Sequence, residues 1–171
     1  MENAIAIFCS AEQPVPQVEL AAFVQRNDSE FTPPFAQRDW FVSYEEWVSR
    51  LLRNGVVIYA RDSFSGAIAG AVGFYADSQR YKDAYVSYIS VSRQYRKRGI
   101  AGKLMSAMAA RCAAQGMQGI NGSCAAGNQP MQRQFESNGY LKITDPQQVV
   151  VLKQANKKDD WDKNFYYLKL S

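Results

Sequence analysis

Arg93, Arg96, Lys97, Arg98 and Lys103 fall within eleven residues and surround Gly99. Basic side chains beside a glycine can hold a phosphate, provided the backbone also aims its amides at the anion. The flanking pattern predicts that it does. Residues 85–91, Tyr-Val-Ser-Tyr-Ile-Ser-Val, alternate with the period of a strand. Ile100, Leu104, Met108 and Cys112 then recur every four residues, which predicts a helix opening at Gly99 and stopping near Gly116. The first amides of such a helix lack intrahelical partners and lie at the positive end of its dipole. A helix start of this kind holds a pyrophosphate, and glycine lets the anion reach the backbone without a Cβ in the way. The plainer reading is a glycine at a tight turn among solvated charges.

Other chemistries are excluded by what the chain lacks. It has no histidine, so neither a Ser-His-Asp nor a Cys-His nucleophile system is available, nor a zinc site with a His ligand. Cys9, Cys112 and Cys124 are odd in number, far apart and without C-x-x-C spacing. That argues against a disulfide framework or a metal site, and for a reducing, cytoplasmic setting. Met1-Glu2-Asn3 does not begin a signal-peptide pattern. The longest apolar run, about ten residues around positions 67–76, is too short to span a bilayer, so no membrane partner is expected. A net charge of +4 does not by itself argue for nucleic acid, and no recognition-helix or aromatic RNA-binding pattern accompanies it. Gly66, Gly70 and Gly73 precede no Gly-Lys-Ser/Thr and fit close backbone packing better than a phosphate loop.

The elements that must position the basic loop follow from the same patterning. A strand is expected at residues 4–9 and a helix at 18–24. An irregular loop at 27–39 contains Pro33 and Pro34. Ser43 and Glu46 form a capping box for a second helix, which stops near Asn54-Gly55. Strands at 56–61 and 67–75 read as a hairpin, followed by the strand at 85–91 and the helix from Gly99. A strand of small residues at 119–125 leads to a helix capped by Asn128 with Pro130 in its first turn, ending at Gly139. The tail reads as a strand at 149–152, a charged turn around 157–160, and a last strand at 165–170. The order β-α-α-β-β-β-α-β-α-β-β makes a mixed α+β fold with a mostly antiparallel sheet. Its 171 residues suit one domain, 1–171.

Arg96-Lys97-Arg98-Gly99-Ile100-Ala101 fits Q/R-x-x-G-x-G/A, preceded by a strand ending in Ile89 and Val91. Downstream, Asn128, Phe135, Gly139 and Tyr140 stand at matching distances. In these features the chain resembles the GNAT superfamily of acyl-CoA-dependent N-acyltransferases over nearly its whole length. The resemblance implies a splayed central sheet flanked by helices. It also implies acetyl-CoA as co-substrate, no metal, and transfer of the acetyl group to a primary amine by direct attack. The backbone of Ile89 and Val91 would pair with the pantetheine arm, and the Val91 N–H would stabilise the oxyanion. The amides of Lys97, Arg98, Gly99, Ile100, Ala101 and Gly102 would hold the pyrophosphate. Arg96 and Arg98 would reach phosphate, Asn128 would sit near pantetheine or simply cap its helix, and Ser90, Lys103 and Phe135 complete the expected cofactor set.

Two departures stand out. Phe135 occupies a position where the family often has a tyrosine that protonates the leaving thiolate. A thiol pKa of about 8.5 makes a dedicated acid dispensable. No Asp or Glu lies within 85–91, where some relatives keep a base. Tyr88, Tyr75 and Ser90 are candidates for ordering a water there, or are core packing or ladder neighbours. The acceptor is expected between residues 30–47, with Phe31, Trp40 and Tyr44, and the turn at 75–85. Aromatic walls suit an apolar or sugar face, so an amino sugar is one candidate small-molecule acceptor. A protein amine, a non-catalytic acyl-CoA-binding module and a homodimer remain open.

Overall fold

The computed structural model describes residues 4–155 and 162–171. The expectations at Met1-Glu2-Asn3 and for a charged turn around 157–160 lie outside the described residues. Among the described residues, seven strands form one sheet in the order β1-β2-β3-β4-β5-β7-β6. They are β1 (Ile5–Cys9), β2 (Val56–Asp62), β3 (Ile68–Tyr75), β4 (Asp83–Val91), β5 (Gly119–Ala125), β6 (Leu141–Lys142) and β7 (Lys163–Lys169). Every neighbouring pair is antiparallel except β4 and β5. The expected mixed, mostly antiparallel architecture is therefore present.

The helices are α1 (Gln17–Asn27), α2 (Tyr44–Asn54), α3 (Ile100–Ala114), α4 (Gln129–Ser137) and α5 (Pro146–Ala155). Two cores cover the two faces of the sheet. Leu104, Met105, Met108 and Cys112 of α3 pack on one side with Val72, Phe74 and Val86. Leu20, Phe23, Val48 and Leu51 of α1 and α2 pack on the other with Val57, Tyr59 and Tyr88. Seven of the eight residues of β3 are buried, which explains its unbroken apolar run: a strand covered on both faces does not alternate. Gly73 belongs to this packing, because a Cβ there would stand 2.6 Å from Leu51 Cδ2. At α2 the Ser43 hydroxyl accepts the Glu46 amide at 3.1 Å, the expected cap. No helix among the described residues is long and apolar enough to cross a membrane.

The tail corrects one expectation. Residues 149–152 are helical, within α5, and a short β6 pairs with β7 instead. Pro146 sits in the first turn of α5, and the Asp145 carboxylate accepts the Gln147 amide at 3.0 Å. These local signals outweigh the β-branched run, whose Val150 and Val151 remain exposed.

Two irregularities shape β4. Gly73 stands opposite Tyr88 while Phe74 stands opposite Val86, so Ser87 is an extra, bulged residue. The bulge reverses the alternation. Ala84 and Val86 face the α3 core, but Tyr88 faces the α1–α2 core. In addition, β4 pairs with β5 only at Asp83, Ala84 and Tyr85. Beyond that point β4 follows β3 and β5 follows β7, and the two diverge.

Candidate active site

The divergence leaves the far half of β4 with an open edge. Ser92 N–H donates to Ala69 C=O at 2.9 Å, and Ser90 stands opposite Ala71. In an antiparallel ladder alternate residues bond to the same neighbour. Ser90 and Ser92 therefore spend their backbone groups on β3, while those of Ile89 and Val91 point toward the gap left by β5. The Val91 carbonyl is already taken, accepting from Arg96 Nε at 3.0 Å. The Val91 N–H and both backbone groups of Ile89 remain directed at the gap. A cavity of about 560 Å³ occupies it, bounded by Ile89, Ser90 and Val91 on one side and by Ser123, Cys124 and Ala125 on the other.

The start of α3 forms one end of this cavity. Gly99 is its N-cap at φ 71°, and Lys97 stands at φ 62°, so the loop turns through two left-handed residues. The first backbone bond of the helix runs from the Lys103 amide to the Gly99 carbonyl. The amides of Ile100, Ala101 and Gly102 thus have no intrahelical partner, and all three residues line the cavity with Lys97 and Gly99. No acidic residue lies in the first turn. A Cβ built on Gly99 would meet no protein atom within 4 Å, so the space over the glycine is empty of protein. These features fit an anion such as a pyrophosphate.

The other expected cofactor residues divide. Arg96 lines the cavity but is committed within the protein, to Val91 and, at 3.3 Å, to Glu30. The Arg98 guanidinium lies 5.6 Å from the Tyr95 ring centroid. Neither Arg98 nor Lys103 is among the residues lining the cavity. Tyr95 anchors the loop, donating to buried Asp62 at 3.0 Å. Asn128 lines the cavity while its Oδ1 caps α4 by accepting the Met131 amide at 3.1 Å. Phe135 also lines it, buried and stacked on Tyr166 with ring centroids 4.8 Å apart. Its ring fills the space over Gly122, where a Cβ would come within 2.5 Å.

An aromatic wall from the α1–α2 connection also lines the cavity. Phe31 stacks on Tyr88 at 5.3 Å, and Phe35 meets Tyr88 edge-on at 6.0 Å. The Tyr88 hydroxyl is buried and makes no hydrogen bond within the protein. Burial pushes its pKa up. It is therefore a neutral phenol at ordinary pH, able to donate to a ligand or water but not to act as a base. Tyr75 is half-buried against the α1–α2 core and is not among the lining residues. Nor are Trp40 and Tyr44, which stand behind the wall: Trp40 packs on Phe35 at 5.7 Å, and Tyr44 donates to Asp28 at 2.6 Å. Burial, then that hydrogen bond, raises the Tyr44 pKa to about 12.

Asp28 holds this wall in shape. Its carboxylate is buried and also accepts the amides of Phe35 and Ala36 at 2.6 and 3.1 Å. Asp28→Ala leaves two backbone donors and a phenol without an acceptor. It is expected to cost about 2–4 kcal/mol, read by urea denaturation. Sequence reasoning missed Asp28, Glu30 and Arg38, the last two of which line the cavity. All lie in the irregular loop or at its edge, where no periodicity marks a side chain as inward.

The Acetyltransferase (GNAT) family model matches residues 20–140, which include both the basic loop and the aromatic wall. No curated protein sequence matches the chain. Among solved structures, the chain is similar to a GNAT-family acetyltransferase from Staphylococcus aureus Mu50, with 22% identity over 98% of this chain and 100% of that one, and a TM-score of 0.75. A GNAT-family acetyltransferase from Streptococcus pneumoniae is 17% identical over 97% and 99% of the two chains, with a TM-score of 0.68. N-acetylglutamate synthase from Neisseria gonorrhoeae, solved with coenzyme A and N-acetyl-glutamate, is 11% identical over 100% of this chain and 36% of that one, with a TM-score of 0.69. These likenesses show a shared fold, and the family match covers the elements that build the cavity: the chain belongs to the GNAT acetyltransferase family.

Proposed function

We propose that this chain, acting as one domain, transfers an acetyl group from acetyl-CoA to a primary amine of a small molecule. The observation that carries the reading is the adjacency of an open strand edge and an anion cradle. Backbone groups of Ile89 and Val91 point into the same cavity as the unpartnered amides of Ile100, Ala101 and Gly102. A chain-like ligand can add to the strand edge while its anionic part rests on the helix start. The co-substrate brings an acetyl thioester, already activated toward an amine. The protein's contribution is to align the reactants and to offer the Val91 N–H to the carbonyl oxygen as charge develops on it.

Phe31, Phe35 and Tyr88 make the acceptor end apolar, with the Tyr88 hydroxyl as its buried polar point. Such a wall suits an amine with a flat apolar face, an amino sugar included. Phe31→Ala is expected to raise the KM for amine several-fold and leave the KM for acetyl-CoA within twofold, the pattern of lost acceptor binding. Calorimetry with CoA, followed by thiol release from acetyl-CoA over a panel of primary amines, tests the whole reading. Binding of CoA with no thiol release from any amine would instead make the chain a non-catalytic acyl-CoA-binding module, the reading that Phe135 favours.

A further inference from the structure

We propose that Glu30 receives the acceptor's ammonium group and takes up its proton, an inference that rests on the acyl-transfer reading above. A primary amine is protonated at neutral pH and cannot attack until it loses a proton. The chain has no histidine to accept it. Among the described residues lining the cavity, Glu30 is the one carboxylate. The other ionisable groups there already hold their protons. Arg38, Arg96 and Lys97 are cations. Tyr85 is a phenol. Tyr95 donates its proton to Asp62. Burial pushes Tyr88 up, and pushes the Cys124 thiol up to about 11.

Position supports the same assignment. Glu30 directly precedes Phe31, which stacks on Tyr88 in the acceptor wall. Its carboxylate meets Arg96 at 3.3 Å, and Arg96 is bonded in turn to the Val91 carbonyl. Glu30 therefore stands where the acceptor wall meets the strand edge expected to hold the thioester. Its second oxygen meets Arg93 at 3.1 Å, but that arginine side chain is 84% exposed, so the pair is weak and exchangeable. In the step itself one ammonium N–H bond breaks and an O–H bond forms on the Glu30 carboxylate. The electron pair stays on nitrogen, now neutral and able to attack.

The test compares benzylamine, protonated at neutral pH, with aniline, which is already neutral there. In Glu30→Gln the ratio of kcat/KM for benzylamine to that for aniline is expected to fall about 100-fold, with CoA affinity held in calorimetry. Equal losses on both amines, or a parallel loss of CoA affinity, would overturn the proposal and make Glu30 a structural tie between the two loops. An unchanged ratio would overturn it too. If the wild type binds CoA but acetylates no amine of the panel, the acyl-transfer reading falls and this proposal with it. Turnover by the wild type with an unaltered Glu30→Gln removes this proposal alone.

Discussion

Gly99→Val is expected to weaken CoA binding on the order of 100-fold, about 2.7 kcal/mol, while the protein still folds. The valine side chain would occupy the space over the α3 start, where no protein atom stands within 4 Å. It would also strain a backbone at φ 71°, at a cost of about 1–3 kcal/mol. A second glycine separates the two effects. Gly116 lies beyond the other end of α3 at φ 77°, and a Cβ there also meets nothing within 4 Å. Gly116→Val carries the same strain far from the cradle. It should lose comparable stability and keep its CoA affinity. Calorimetry and thermal melts on both variants decide the matter. If the two bind CoA equally well, the anion site is not at the start of α3.

The largest stability effect is expected at Phe135. Phe135→Ala should cost about 3–5 kcal/mol, because the ring is buried and the surrounding groups cannot close over the void. It stacks on Tyr166, tilts against Tyr140 at 5.1 Å, and fits over a glycine that can supply no side chain to refill the space. At about 2–4 °C per kcal/mol for a chain of this size, the melting temperature should fall on the order of 10 °C. Phe135→Tyr asks a different question. The position lines the cavity, so an added hydroxyl should leave turnover intact and raise it at low pH, where proton donation to a thiolate helps. A pH–rate profile reads this directly. A large loss of turnover at unchanged stability would show that Phe135 serves shape and that no acid is wanted there.

Much of the site was legible in local sequence. Gly99 between basic residues, at the start of a helix with apolar residues every four positions, marked the candidate anion cradle, and the structure puts that helix start at the cavity. The reason is that helix starts and left-handed glycines depend on a few neighbouring residues. The Ser43–Glu46 cap and the strand at β4 were legible for the same reason. Where local signals conflicted, as in the Val149–Leu152 stretch, the Asp145-Pro146 start prevailed, and β-branched character misled, because Val150 and Val151 stay exposed on the helix.

Tertiary structure alone decided the rest. One bulged residue, Ser87, turns Tyr88 onto the α1–α2 side, and no pattern of period two can announce an extra residue. The open edge of β4 exists because β5 leaves after three pairs to follow β7, a choice made between strands distant in sequence. Arg96 and Arg98 look alike as members of a basic run. Only packing assigns the first to Val91 and Glu30 and the second to the Tyr95 ring. The irregular loop shows the limit most clearly. Its aromatic residues were visible in the sequence. Which of them face the cavity was settled by the buried Asp28 carboxylate, which binds two backbone amides and the Tyr44 hydroxyl at once. Charge composition could count one glutamate among many. The sheet and loop together made Glu30 the carboxylate that lines the cavity, because its direction is set by contacts sixty residues away in the chain, at Arg93 and Arg96.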